Sequence, residues 1–197
     1  MSKLLRRREV ISELLKDRGE LMVIAGLGAT SWDITHAGDH ALNFPLWGAM
    51  GGAAMIGLGL ALAQPKKKVL VITGDGEMLM GLGSLATIAV QKPRNLYIVV
   101  LDNEHYGETG MQETHTGHGV DLAGMAKAAG FAHARNVGTQ AGVARLKSMI
   151  RSGAGPLFAQ VKIDAEKLPL VLPPRDATYI KNRFRIAALG PEALHDK

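Results

Sequence analysis

The chain's 197 residues leave room for a single sizeable core, and its 47% hydrophobic and 21% charged content matches ordinary globular usage. Cysteine is absent, which excludes disulfides, thiolate zinc sites and cysteine nucleophiles, and suits a reducing, cytoplasmic setting. The formal net charge of +5 is compatible with anionic ligands, but no basic stretch is interleaved with aromatics, so nucleic-acid binding is not expected.

In chain order, residues 2–17 carry Leu4, Leu5, Val10, Ile11, Leu14 and Leu15 at helical spacing, before a stop at Arg18-Gly19. The run Arg6-Arg7-Arg8 on this helix reads as a solvated basic face. Charges throughout the stretch leave no apolar core for an export signal. Residues 21–26 (LMVIAG) predict a short buried strand that enters a glycine turn, and Ser31 stands where it would cap a short helix through His36. Residues 41–64 contain no charge and are long enough to span a membrane, with Gly48 and Gly52 spaced as in a membrane dimer motif. Pro45 and five glycines interrupt the stretch, so a buried glycine-rich helix from about Met50 is expected rather than a membrane span.

Residues 67–74 (KKVLVITG) predict a second strand, residues 78–90 a helix closed off by Pro93, and residues 95–102 (NLYIVVLD) a third strand. After a polar loop, Asp121 opens a helix, residues 131–137 form a weak strand, Thr139 caps a helix through Ile150, and residues 156–163 supply a last strand. Beyond Asp164, clear periodicity returns only at residues 177–189. Continuous apolar strands alternating with helices predict an α/β fold, a doubly wound parallel sheet with helices on both faces. With neither repeat nor linker, the chain reads as one domain over residues 1–197, with an extended C-terminal tail from about 165 to 197.

In such sheets ligands bind beyond the carboxyl ends of the strands. Two glycine clusters lie there. GLGATS (26–31) half resembles a dinucleotide fingerprint, but it lacks the third glycine and a ribose-binding acid after the next strand, so a plain strand-to-helix turn explains it equally well. Gly74-Asp75-Gly76 is more telling, because it places a carboxylate at a strand tip where backbone N–H groups would meet an anion. Asp75 and a diphosphate repel each other unless a divalent cation lies between, and Mg²⁺ is commonly held by one carboxylate plus phosphate oxygens. The neighbouring tip, Asp102-Asn103, offers an amide oxygen. Without the pairing of these two tips, Asp75 and Asn103 would read as ordinary turn and cap residues.

Gly-Asp-Gly, some thirty residues, and an apolar strand ending in Asn resemble the motif of thiamine diphosphate-dependent enzymes, which usually closes Asn-Asn where this chain has Asp102-Asn103. The segments GAMGGAAMIGLGLALA, GDGEMLMGLGSLATIA and LDNEHYGETGMQETHT are similar to the beta subunits of sulfopyruvate decarboxylases and the matching half of phosphonopyruvate decarboxylases, over about residues 1–165. The resemblance implies a thiamine diphosphate-binding fold, with thiamine diphosphate and Mg²⁺ as cofactors. It implies Asp75, the Asn103 side chain and the His105 backbone carbonyl as metal ligands. Gly28, Thr30, Gly74, Gly76 and Glu77 would lie along the diphosphate, Met50 would wedge beneath the bent cofactor, and the Gly48 carbonyl would meet its amino group. Glu104 and His105 replace the small residues that most members carry after Asp-Asn.

The family's activating Glu sits on a separate pyrimidine-binding domain, for which this chain has no room. The resemblance therefore implies an alpha-type partner subunit, a hetero-oligomer, and at most self-association of the isolated chain. It also implies a small anionic 2-oxo acid as substrate. His115 and His118 are this chain's candidate catalytic residues, anchoring the substrate's far acid, with Arg183 or Arg185 as alternatives. A carboligase, a non-catalytic regulatory subunit and a dinucleotide-dependent dehydrogenase are the competing readings.

Overall fold

Strands that are apolar on both faces need cover on both, and helices supply it throughout residues 4–195, which the computed structural model describes. The elements are α1 (Arg7–Leu15), β1 (Met22–Ala25), α2 (Ala29–His36), β2 (Asn43–Pro45), α3 (Ala53–Ala63), β3 (Val69–Gly74), α4 (Asp75–Met80), α5 (Ser84–Gln91) and β4 (Leu96–Asp102). They continue with β5 (His105–Tyr106), β6 (Gln112–Glu113), α6 (Leu122–Ala129), β7 (His133–Val137), α7 (Gln140–Ser152), β8 (Leu157–Lys162) and α8 (Ala177–Leu189). Six strands form one sheet in the order β2-β1-β3-β4-β8-β7, and every pairing in it is parallel. The doubly wound parallel sheet expected from the apolar runs is therefore present.

Successive strand residues point to opposite faces. Met22, Ile24, Val69, Val71, Ile98 and Val100 enter one core with residues of α3, α5 and α6, while Val23, Ala25, Leu70, Ile72, Tyr97 and Val99 enter the other with α1 and α7. The glycines of α3 serve this packing. A Cβ on Gly57 would overlap the Val71 side chain, so the helix lies closer to β3 than alanine permits. Among the described residues, no helix is long and apolar enough to cross a membrane.

Several boundaries differ from expectation. Leu5 does not join the first helix; it bridges to Ile163, and α1 begins at Arg7. Positions 2 and 3 of the predicted helix lie outside the described residues. α3 starts at Ala53 rather than near Met50, because Ala49 and Gly51 take φ of 60° and 90°. The single helix expected over residues 78–90 is two helices, α4 and α5, separated at Gly81 and Gly83. Gly81 lies against the backbone of Gly51, and a side chain there would overlap the Gly51 carbonyl. β2 and the β5–β6 hairpin are short strands without an apolar signature, and Pro45 is tolerated in β2 because that strand is at the sheet's edge.

The basic run at Arg6-Arg7-Arg8 is not a solvated face. Asp33 on α2 is fully buried and is gripped by Arg7 Nε, and by Arg8 Nε at 2.8 Å. Arg6 pairs with Glu166 at 2.8 Å, and Arg8 also donates to the Pro169 carbonyl at 2.5 Å. Residues 164–176 thus run back across the α1 side before α8, capped by Asp176, covers the edge strand through a Phe44–Phe184 edge contact at 5.5 Å. Asp33→Ala would leave two poorly solvated guanidinium groups without their anion. We expect it to cost about 3 kcal/mol in urea-monitored unfolding.

Candidate functional site

The chain reaches β2 on one side of β1 and returns to β3 on the other, so a crevice opens where the winding reverses, between the ends of β1 and β3. Two turns border it. After β1, Gly28 takes φ of 72° and α2 starts immediately, at Ala29. Ser31 is therefore inside the helix rather than its cap. Its hydroxyl and that of Thr30 both turn back to the Gly26 carbonyl, at 2.8 and 2.7 Å. Thr30 consequently has only its backbone N–H to offer the crevice. After β3, α4 starts directly at Asp75.

Glu77 ties the two turns together. Its Oε2 accepts from the Leu27 N–H at 2.9 Å and from the Thr73 hydroxyl at 2.7 Å. Gly26 has to be glycine here, because a Cβ would overlap the Glu77 carboxylate. The carboxylate expected along the diphosphate is buried between the turns, and its other oxygen, Oε1, is buried without a partner. Gly76 is in contact with the Tyr106 ring, Gly74 borders open space, and the Glu108 carboxylate lies against Gly28.

β3 and β4 pair in register to Gly74 and Leu101, which sets Asp75 and Asp102 at adjacent tips. Both are buried, at 1% and 0% exposure. Two threonines from the segment after β6 connect them. Thr114 Oγ1 donates to Asp75 Oδ2, while Thr116 Oγ1 donates to Asp102 Oδ1 at 2.7 Å and lies 3.1 Å from Asp75 Oδ2 and 2.9 Å from Thr114 Oγ1. Asp102 is further compensated by Gln160 Nε2 at 2.5 Å and Lys162 Nζ at 2.8 Å. Burial pulls the Lys162 ammonium down, but Asp102 and Glu104 together outweigh it and the net shift is upward. Among the described residues, no cationic side chain pairs with Asp75. Burial raises its pKa, the Asp102 charge adds to the rise, and the two threonine hydroxyls oppose it.

Asp75 is thus the carboxylate left short of positive charge, and this fits a divalent cation at the β3 tip. The oxygens nearby are of the kind a hard cation takes. Asn103 Oδ1, half-buried at the end of β4, accepts the His105 N–H at 3.1 Å, so Asn103 and the His105 backbone share one tight turn. Among the described residues, no three His, Asp or Glu side chains gather as a metal set. A cation here would need amide, carbonyl or ligand oxygens beside Asp75.

Sequence reasoning singled out the histidines of the His115–His118 turn, but the buried groups of that segment are Thr114 and Thr116. His115 is exposed, and His118 is an exposed partner of Glu113 at 3.2 Å. Arg183 pairs with Asp39 at 2.6 Å and Arg185 donates to the Ala193 carbonyl at 2.5 Å, so both are engaged around α8 rather than at the strand tips. Gly48 and the half-buried Met50 lie in the loop leaving β2. Thr114, Thr116, Gln160 and Lys162 were not legible as site residues, since isolated polar residues without a fixed spacing carry no motif. Thr116→Val would remove the hydroxyl between two buried carboxylates. We expect a loss of about 1–3 kcal/mol, read from the denaturant midpoint and largely restored in Thr116→Ser.

The model of the family described as "Thiamine pyrophosphate enzyme, C-terminal TPP binding domain" matches residues 26–161. The chain is 42% identical over 127 residues to sulfopyruvate decarboxylase subunit beta of Methanocaldococcus jannaschii, covering 64% of this chain and 67% of that one. It is 37% identical over 181 residues to sulfopyruvate decarboxylase subunit beta of Methanothermobacter thermautotrophicus, covering 92% and 94%. Among solved structures, benzoylformate decarboxylase from Polynucleobacter necessarius superposes with a TM-score of 0.66 at 20% identity. The match covers 84% of this chain but only 34% of that one, so the likeness is one of fold and the chain spans about a third of that enzyme's length.

Proposed function

The chain belongs to the thiamine pyrophosphate enzyme family, as its C-terminal TPP-binding domain, and we propose that it is the beta-type subunit of a Mg²⁺-dependent 2-oxo acid decarboxylase. The observation that carries this reading is the buried Asp75 in the glycine turn at the β3 tip, with no cationic side chain beside it among the described residues and the β4 tip that leads into Asn103 next to it. On this reading Asp75, the Asn103 side chain and the His105 carbonyl hold the cation. Backbone groups at Gly28, Thr30, Gly74 and Gly76 line the diphosphate, and Gly48 and Met50 hold the rings from the β2 side. Glu77 acts on the cofactor only indirectly, by fixing the two turns against each other. When bound, thiamine diphosphate supplies the electron sink for loss of CO₂ from a 2-oxo acid.

What this chain's own residues do is bind, orient and neutralise. The carboxylate that activates the cofactor belongs to the partner on this reading. Glu77, Glu104 and Glu113 are each engaged elsewhere, with Leu27 and Thr73, with Lys162, and with His118, and Glu108 lies against Gly28, at the turn this reading gives to the diphosphate. An alpha-type pyrimidine-binding subunit would supply it, and the two chains would form a hetero-oligomer. The substrate class we infer is a small 2-oxo acid with a second acidic group. His115, exposed and next after Thr114, and His118, exposed beside Glu113, are the candidates for its far end.

Asp75→Ala removes the only carboxylate of the proposed cation site. In calorimetric titration of the assembled complex, we expect Mg²⁺-dependent binding of thiamine diphosphate to weaken by at least roughly a hundredfold, the upper end of what loss of a mere supporting partner costs. Wild-type affinity in this variant would remove the assignment. The isolated chain should fold without turning over substrate, with decarboxylation appearing when the partner subunit is added. Turnover by the chain alone, in a preparation free of contaminating activity, would contradict the divided active site.

A further inference from the structure

Lys162 ends β8 in register with Asp102, and its ammonium bridges Asp102 Oδ2 at 2.8 Å and Glu104 Oε1 at 2.5 Å. These two carboxylates flank Asn103. Glu104 takes φ of 63°, a left-handed conformation that disfavours any residue with a Cβ and that glycine adopts freely. Its backbone is fastened on both sides. The Glu104 N–H donates to Asp102 Oδ1 at 3.1 Å, and its carbonyl accepts the Thr114 N–H at 2.7 Å. The side chain is the remaining freedom, and Lys162 takes it up. The residue so held stands between Asn103 and His105, the two positions proposed to offer oxygens to the cation.

We propose that Lys162 is a positioning residue for the metal-binding turn. It holds Glu104 in its left-handed conformation through the Glu104 carboxylate, and thereby sets Asn103 and the His105 carbonyl relative to Asp75. Lys162 touches neither cation nor cofactor in this role. The proposal rests on the reading of Asp75 and Asn103 as the cation site. A lysine that only added surface charge would not need to reach both carboxylates flanking one residue, and Lys162 is only one-third exposed at the side chain.

The test uses the assembled complex and Mg²⁺ titrations of thiamine diphosphate binding by calorimetry, with thermal unfolding as a check on the fold. Glu104→Gln takes the charge out of the pair with Lys162 but keeps a Cβ at a left-handed position, whereas Glu104→Gly removes the need for the pair. We expect Glu104→Gln to weaken the apparent Mg²⁺ affinity about tenfold and Glu104→Gly to hold it within about threefold of wild type. Lys162→Met should weaken it more than Glu104→Gln, because Asp102 also loses its ammonium, and adding Glu104→Gly should recover only the share due to Glu104. In steady-state assays the loss should appear in the Mg²⁺ requirement and be overcome at saturating Mg²⁺. Equal Mg²⁺ affinities in Glu104→Gln and Glu104→Gly would overturn the positioning role. If wild-type binding showed no Mg²⁺ dependence, the reading of the site itself would fail, a result distinct from the one that overturns Lys162 alone.

Discussion

Two carboxylates buried at neighbouring strand tips are the constraint around which the site is arranged. Parallel pairing of β3 and β4 places Asp75 and Asp102 side by side, and burial makes each charge costly unless it is matched. The protein compensates them unequally. Asp102 receives an ammonium, an amide and a hydroxyl, whereas the side-chain partners of Asp75 are the hydroxyls of Thr114 and Thr116. Two hydroxyl hydrogens serve four close oxygen contacts among these groups. Among the described residues the arrangement lacks positive charge on the Asp75 side, the one on the strand that borders the crevice.

The rest of the crevice is set by close backbone approach. Gly26 makes room for the Glu77 carboxylate, and Gly81 lies directly on Gly51. The first contact locks the turn after β1 to the turn after β3. The second locks the loop carrying Gly48 and Met50 to the end of α4. Three segments far apart in sequence are therefore held as one unit by contacts that admit no side chain.

The C-terminal segment belongs to the same economy of charge and edges. Residues 164–176 engage the arginines of α1, and α8 shields β2, the shortest strand of the sheet. The opposite edge, β7, carries His133, Arg135 and Asn136 instead, and polar edge residues discourage pairing with other chains. One edge is covered and the other is left polar.

Five of the six strands of the sheet, their alternation with helices, and the two polar tips were legible in the sequence, because they depend on local periodicity and on residues at fixed spacing, whereas three-residue β2 carries no such signal. Caps were legible where the side chain acts on its own turn, as at Thr139, which accepts the Gly142 N–H. Ser31 misled because its hydroxyl has a closer acceptor in Gly26, and the arginine run misled because its partner, Asp33, is 25 residues away in sequence for Arg8. By itself, the sequence determined the parallel α/β architecture and the pair of strand tips, since apolar runs must be buried on both faces and turn residues must end them. Only the tertiary structure decided which polar residues meet there. Thr114, Thr116, Gln160 and Lys162 come from a connecting segment and a distant strand, and nothing in their spacing records that folding brings them onto two buried carboxylates.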